Sequence, residues 1–148
     1  MAFEIKDARA ADHEAWHGLW LQYLAFYKVT LSADVTDYTW ARLLDHRSRL
    51  SGRFAFLNGE MVGFAIYHQH ESTWVAGEDC YLEDLFLSED ARGQGLGRAL
   101  LDDLIAVACK NGWKRLSWHT DKGNAIARRL YDNFAKADGH VRYRMALI

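Results

Sequence analysis

The chain has 148 residues, 50% of them hydrophobic and 26% charged, which fits one globular domain with a continuous core and not a disordered segment. A formal net charge of −2 provides no bulk field to recruit nucleic acid or an anionic membrane, so neither is expected as a partner. No apolar run nears the roughly 20 residues that span a bilayer, and the opening Met1-Ala2-Phe3-Glu4-Ile5-Lys6-Asp7 lacks the basic-then-apolar layout of a secretory leader.

Residues 3–9 alternate and predict a first strand. Asp12 is placed to cap a helix on which Trp16, Leu19, Trp20, Tyr23 and Tyr27 recur at helical spacing. A second helix is predicted over 36–46. Residues 54–57 and 61–67 are apolar runs joined by Asn58-Gly59, the favoured hairpin turn. Residues 81–87 form a further apolar strand interrupted by Glu83 and Asp84. A glycine-rich loop, 88–97, leads into a helix with Leu100, Leu101, Leu104, Ile105 and Ala108 on one face and Gly112 as its stop. Residues 116–120 predict a strand, and Asn124 opens a helix with a stripe of Ile126, Ala127, Leu130, Tyr131 and Phe134. In the tail, Val141, Tyr143, Met145 and Leu147 alternate with Arg142, Arg144 and Ala146, predicting a half-buried strand. The order βααβββαβαβ, without linker or repeat, predicts one α/β (α+β) domain over 1–148 with helices layered on a mixed sheet.

The loop Arg92-Gly93-Gln94-Gly95-Leu96-Gly97-Arg98 carries the most chemical information. Between a strand and a helix, free N–H groups and the positive end of the helix dipole bind anions. Glycines let the backbone approach a phosphate closely. A dinucleotide GxGxxG would need glycine at position 98 or 100, where Arg98 and Leu100 stand. A P-loop would need glycine followed by Lys and Ser or Thr, a tripeptide absent here.

The remaining pattern, Arg-x-x-Gly-x-Gly, resembles the pyrophosphate loop of the GCN5-related N-acetyltransferase (GNAT) superfamily. The preceding Tyr81-Leu82-Glu83-Asp84-Leu85-Phe86-Leu87 and the later Asn124-Ala125-Ile126-Ala127-Arg128-Arg129-Leu130-Tyr131 are similar to that superfamily's flanking motifs, in the right order. The resemblance runs from about residue 54 onward and, more weakly, through the N-terminal helices. Phe134-Ala135-Lys136 stands where the family often has glycine-phenylalanine. Tyr81 to Asp84 resembles diamine acetyltransferases. The stretches 20–27 and 40–45, with Trp118-His119-Thr120-Asp121, look more like fungal histone/polyamine acetyltransferases.

The resemblance implies a GNAT fold, a mixed, mostly antiparallel sheet flanked by helices on both faces. It implies acetyl-CoA as co-substrate, direct acetyl transfer to a primary amine of polyamine, diamine or lysine-like type, and a homodimer. Leu85, Phe86 and Leu87 would run beside the pantetheine arm, with an oxyanion donor near Leu85. Arg92 through Arg98 would hold the pyrophosphate, and Asn124 would bond the arm or act as a plain helix cap. Glu83 would take the amine proton, directly or through water, and Tyr131 would protonate the departing thiolate. By regular alternation Asp84 faces away from Glu83. Two alternatives remain: a non-catalytic acyl-CoA-binding sensor, and an acetyltransferase for a free amino acid or another small amine.

No metal is expected. His68 and His70 share a strand face, but no Cys or acidic partner completes a zinc set. Cys80 and Cys109, without CxxC spacing, fit a reduced cytoplasmic setting, and Cys109 reads as a buried small hydrophobe.

Overall fold

The structure is a computed structural model describing residues 2–148. Five strands run in the order β1-β2-β3-β4-β5: β1 Phe3–Asp7, β2 Leu50–Leu57, β3 Glu60–Glu71, β4 Glu78–Leu87 and β5 Leu116–Trp118. Neighbours from β1 to β4 pair antiparallel, and β4 pairs with β5 in parallel. Four helices cover the sheet: α1 His13–Phe26, α2 Ala33–Leu44, α3 Leu96–Lys110 and α4 Ala125–Tyr131.

The β2–β3 hairpin closes as its sequence predicts. Asn58 and Gly59 both take positive φ, 53° and 84°, the conformation that matches the twist of the flanking strands. Alternate residues of the central strands then face two separate cores. Phe54, Phe64, Ile66 and Phe86 pack with Trp16, Leu19, Trp20 and Leu24 of α1 and Leu43 of α2. Ala65, Tyr67, Cys80 and Leu82 pack with Leu96, Leu100, Leu101, Leu104 and Ala108 of α3. Helices on both faces of a mostly antiparallel sheet are the predicted architecture. Trp16, stacked between Trp20 and Trp40, is fully buried, so part of the tryptophan content serves the core.

Several elements differ from expectation. Helix α2 begins earlier because Ser32 caps it, its Oγ accepting from the Val35 N–H at 3.3 Å. Asp12 does not bond the end of α1. Its carboxylate accepts instead from the Arg9 backbone and guanidinium. Cys109 is exposed while Cys80 is buried, and both are free thiols. Helix α4 stops at Tyr131, so Phe134 lies beyond it, and Ile126 is 79% exposed and outside the expected stripe. The tail is the largest correction. Residues 135–148 form no strand and are exposed along their length, because a strand needs a hydrogen-bonding neighbour and the tail has none among the described residues.

Candidate active site

Strands β4 and β5 pair only over Cys80↔Leu116, Tyr81↔Ser117 and Leu82↔Trp118. Beyond Leu82 they part, and β4 continues to Leu87 with its β5-facing backbone edge unpaired among the described residues. A cavity of about 860 Å³ opens here, lined among others by Tyr23 of α1 and Tyr27 just past its end, Tyr81, Glu83, Asp84 and Leu85 of β4, and Trp118 and Tyr131.

The β3–β4 register explains why two acids enter this cavity together. Ile66 pairs with Asp84 and Tyr67 with Leu82, leaving Glu83 as an extra, bulged residue. Such a bulge re-aims side chains. Leu82 belongs to the α3-side core and Phe86 to the α1-side core, so the strand changes phase between them. Asp84 consequently lines the same cavity as Glu83, which corrects the expectation that it faces away. Regular alternation cannot anticipate a bulge.

The two acids sit in different surroundings. Glu83 is half-exposed and lies 3.8 Å from His68 Nε2. Asp84 accepts a hydrogen bond from the Tyr23 hydroxyl at 2.5 Å. Burial pushes the Asp84 carboxyl up to about 7, with the Glu83 charge adding to the rise and the Tyr23 bond opposing it. Burial and the Asp84 charge push the Tyr23 phenol far above its ordinary range. The Tyr81 hydroxyl lies 2.9 Å from His119 Nδ1, and burial pushes its phenol up, with Glu83 and Asp84 adding to the rise and Arg142 and Arg144 opposing it.

Tyr131 ends α4 and packs edge-on against Trp118, with ring centroids 5.5 Å apart. Burial pushes its phenol up to about 12, so it keeps its proton across the physiological range. The Thr120 hydroxyl is buried without a partner among the described residues, and Thr120 lines the same cavity. Asn124 caps α4, its Oδ1 accepting from the Ala127 N–H at 3.2 Å.

The glycine loop stands at the start of α3, outside this lining. Gly93 and Gly95 take φ of 78° and 79°, the left-handed region that glycine enters without cost. Among the described residues, no backbone N–H from Gly93 to Arg98 donates to the rest of the chain, while the Gln94 side-chain amide donates to the Asp90 carbonyl at 3.2 Å. That row of free donors at a helix N-terminus suits a phosphate-type anion. Gly97 has a packing reason: a Cβ there would lie 3.1 Å from Leu130 Cδ2, so α3 and α4 approach closely. Arg92 is held beneath the loop, donating to the Leu87 carbonyl at 3.1 Å with its guanidinium over the Phe26 and Phe86 rings. Arg98 lies over the Phe134 ring.

Of the expected site residues, the cavity therefore unites Glu83, Leu85 and Tyr131. Phe86 is buried in the α1-side core and offers only its backbone. Sequence reasoning placed Asp84 opposite Glu83, with a role in orienting the acceptor or pairing with a base, and did not single out Tyr81 or His119 as neighbours of the site. For Tyr23 the signal was visible, since it lies four residues before Tyr27 on the helical stripe.

The sequence model of the Acetyltransferase (GNAT) family matches residues 12–135, and the chain belongs to that family. It is 34% identical over 142 residues to the D-amino-acid N-acetyltransferase HPA3 of Saccharomyces cerevisiae, covering 95% of this chain and 88% of that protein. It is also 34% identical over 99 residues to the thialysine N-epsilon-acetyltransferase of Caenorhabditis elegans, covering 64% of this chain and 61% of the relative. Its fold matches a ribosomal-protein-alanine N-acetyltransferase from Brucella melitensis biovar Abortus 2308 with a TM-score of 0.83 at 23% identity, over 99% of this chain and 100% of the other. The chain is thus a GNAT-family N-acetyltransferase.

Proposed function

We propose that the chain transfers the acetyl group of acetyl-CoA directly to a primary amine bound in the cavity between β4 and β5. The observation that carries this reading is the meeting of carboxylates, a protonated phenol and an open strand edge in one cavity beside an anion-binding loop. The free N–H groups from Gly93 to Arg98 suit the pyrophosphate. The unpaired edge of β4 over Leu85, Phe86 and Leu87 suits an extended, amide-bearing arm laid beside it as an added strand.

The chemistry sets clear demands on the residues. A primary amine with a pKa near 10.4 is only about 0.04% neutral at pH 7, so a base must take its proton. Glu83 does so directly or through a water, and Asp84 beside it, held near neutrality by burial, shares the load. A carboxyl poised near the working pH is well suited to accept a proton and release it again. A β4 N–H near Leu85 steadies the charge that develops on the carbonyl oxygen. Tyr131, retaining its proton, donates it to the departing thiolate. Asn124 already caps α4 through Oδ1, which leaves its amide nitrogen for the arm.

A polyamine, diamine or lysine-like acceptor and a free amino acid both provide the amine this site needs. The relatives' names, covering D-amino acids and thialysine, favour an acceptor in the amino-acid range. Homodimerisation is supported by the alternating apolar tail and the free outer edge of β5. Two free thiols, one of them exposed, support a reducing, cytoplasmic setting. The test of the catalytic reading is Tyr131→Phe. Turnover should fall about 100-fold with acetyl-CoA affinity kept, and unchanged turnover would remove Tyr131 from its role.

A further inference from the structure

The tail brings charge to the cavity in a way the transfer chemistry does not require. His140, Arg142 and Arg144 line it, while the interleaved Val141, Tyr143 and Met145 are 75%, 92% and 81% exposed. Along an extended segment successive side chains point to opposite sides, so the tail turns its basic side to the cavity. Neither Arg142 nor Arg144 has a carboxylate within salt-bridge distance or a hydrogen-bond partner among the described residues. By contrast Arg9, Arg49, Arg53 and Arg115 are each tied to an acid.

Burial, Glu83 and Asp84 raise the Tyr81 phenol, and Arg142 and Arg144 oppose that rise. Positive and negative groups therefore line one cavity together with Tyr81. The pyrophosphate cannot be their counter-ion, because its loop lies at the start of α3, outside the cavity lining. A polyamine, carrying only positive charge, gains nothing from two unpaired guanidiniums and is repelled by them.

We infer that Arg142 and Arg144 form a carboxylate subsite, and that the acceptor is an amino acid whose amine faces Glu83 and Asp84 while its carboxylate meets these two arginines. This rests on the acetyl-transfer reading above and narrows its acceptor. Arginine suits the task because its planar fork matches a carboxylate with two parallel hydrogen bonds. The reaction balances without another reactant: the ammonium gives one proton to the carboxylates and on to solvent, the amine nitrogen then bonds to the acetyl carbon, the C–S bond breaks, the thiolate takes a proton from Tyr131, and the second proton leaving the nitrogen restores the phenol through water. The amino-acid carboxylate takes no part and serves only recognition.

The experiment compares acceptors that differ only in the carboxylate, such as lysine and cadaverine, using coenzyme A release by the full chain. Wild type is expected to favour lysine, and lysine methyl ester should behave like cadaverine. In Arg142→Gln and Arg144→Gln the lysine-to-cadaverine ratio of kcat/KM should fall roughly 10- to 100-fold, mainly through KM for lysine. Arg142→Lys should recover part of it, and unchanged acetyl-CoA affinity checks that the variants fold. Preference for cadaverine in wild type, or an unchanged ratio in both variants, overturns the subsite while leaving acetyl transfer standing. No release with any amine overturns the transfer reading, and the subsite with it.

Discussion

The hydroxyl of Tyr23 crosses from α1 to the Asp84 carboxylate at 2.5 Å, and that contact concentrates the electrostatics of the site. Desolvation disfavours the charged form of Asp84 and outweighs the bond from Tyr23. Its carboxyl is raised from 3.8 to about 7 in the folded chain. The folded state therefore binds a proton that the unfolded chain releases near pH 4. The associated stability is complete below pH 4 and is lost as pH rises through about 7. Asp84→Asn keeps an oxygen for Tyr23 but carries no charge. Its melting temperature should exceed wild type on the order of 5 °C at pH 8, with the advantage vanishing toward pH 4. Thermal melts at several pH values measure this, and a constant difference would contradict it. If Asp84 shares the amine proton, wild-type kcat/KM should climb as pH rises through about 7, and Asp84→Asn should flatten that limb.

The parting of β4 and β5 after Leu82 and Trp118 creates the site at the level of elements, and the bulge at Glu83 furnishes it. The hairpin, α1, α3 and the glycine loop were legible because each rests on local rules: Asn-Gly turn chemistry, helical periodicity, and glycine where the backbone turns left-handed. The bulge was not legible, because it depends on register between β3 and β4. The half-buried strand expected from the tail's alternation does not form, because alternation alone cannot provide a hydrogen-bonding partner. Helix α4 ends before Phe134 because the chain turns after Tyr131 through i→i+3 bonds, Asn133 N–H to the Leu130 carbonyl and Phe134 N–H to the Tyr131 carbonyl. At Gly95, φ of 79° and open space around a notional Cβ separate conformation from packing. Gly95→Ala should cost about 1 kcal/mol of backbone strain and raise the KM for acetyl-CoA roughly fivefold, with kcat kept. Steady-state kinetics decide this, and an unaltered KM would mean the loop's shape does not set donor binding.

The molecule as a whole has two cores, one under α1 and α2 and one under α3, and the cavity lies where β4 serves both. Exposed Val141, Tyr143, Met145 and Leu147 leave an apolar row at the end of a sheet whose outer strand, β5, is only three residues long. A second copy that pairs with this edge would cover the row and would leave Arg142 and Arg144 on the opposite side. Tyr143→Asp with Met145→Asp should accordingly shift a dimer to monomer in sedimentation, and a wild-type monomer at micromolar concentration would contradict the arrangement. Every role proposed for the site depends on acetyl transfer to an amine in the β4–β5 cavity. Its most direct test is coenzyme A release from acetyl-CoA across a panel of amino acids, diamines, spermidine and a lysine peptide, with thiol blanks for the exposed Cys109. Release coupled one-to-one to an N-acetylated product is the result predicted here. Tight acetyl-CoA binding without release toward any acceptor would contradict it and leave a binding domain in place of an enzyme.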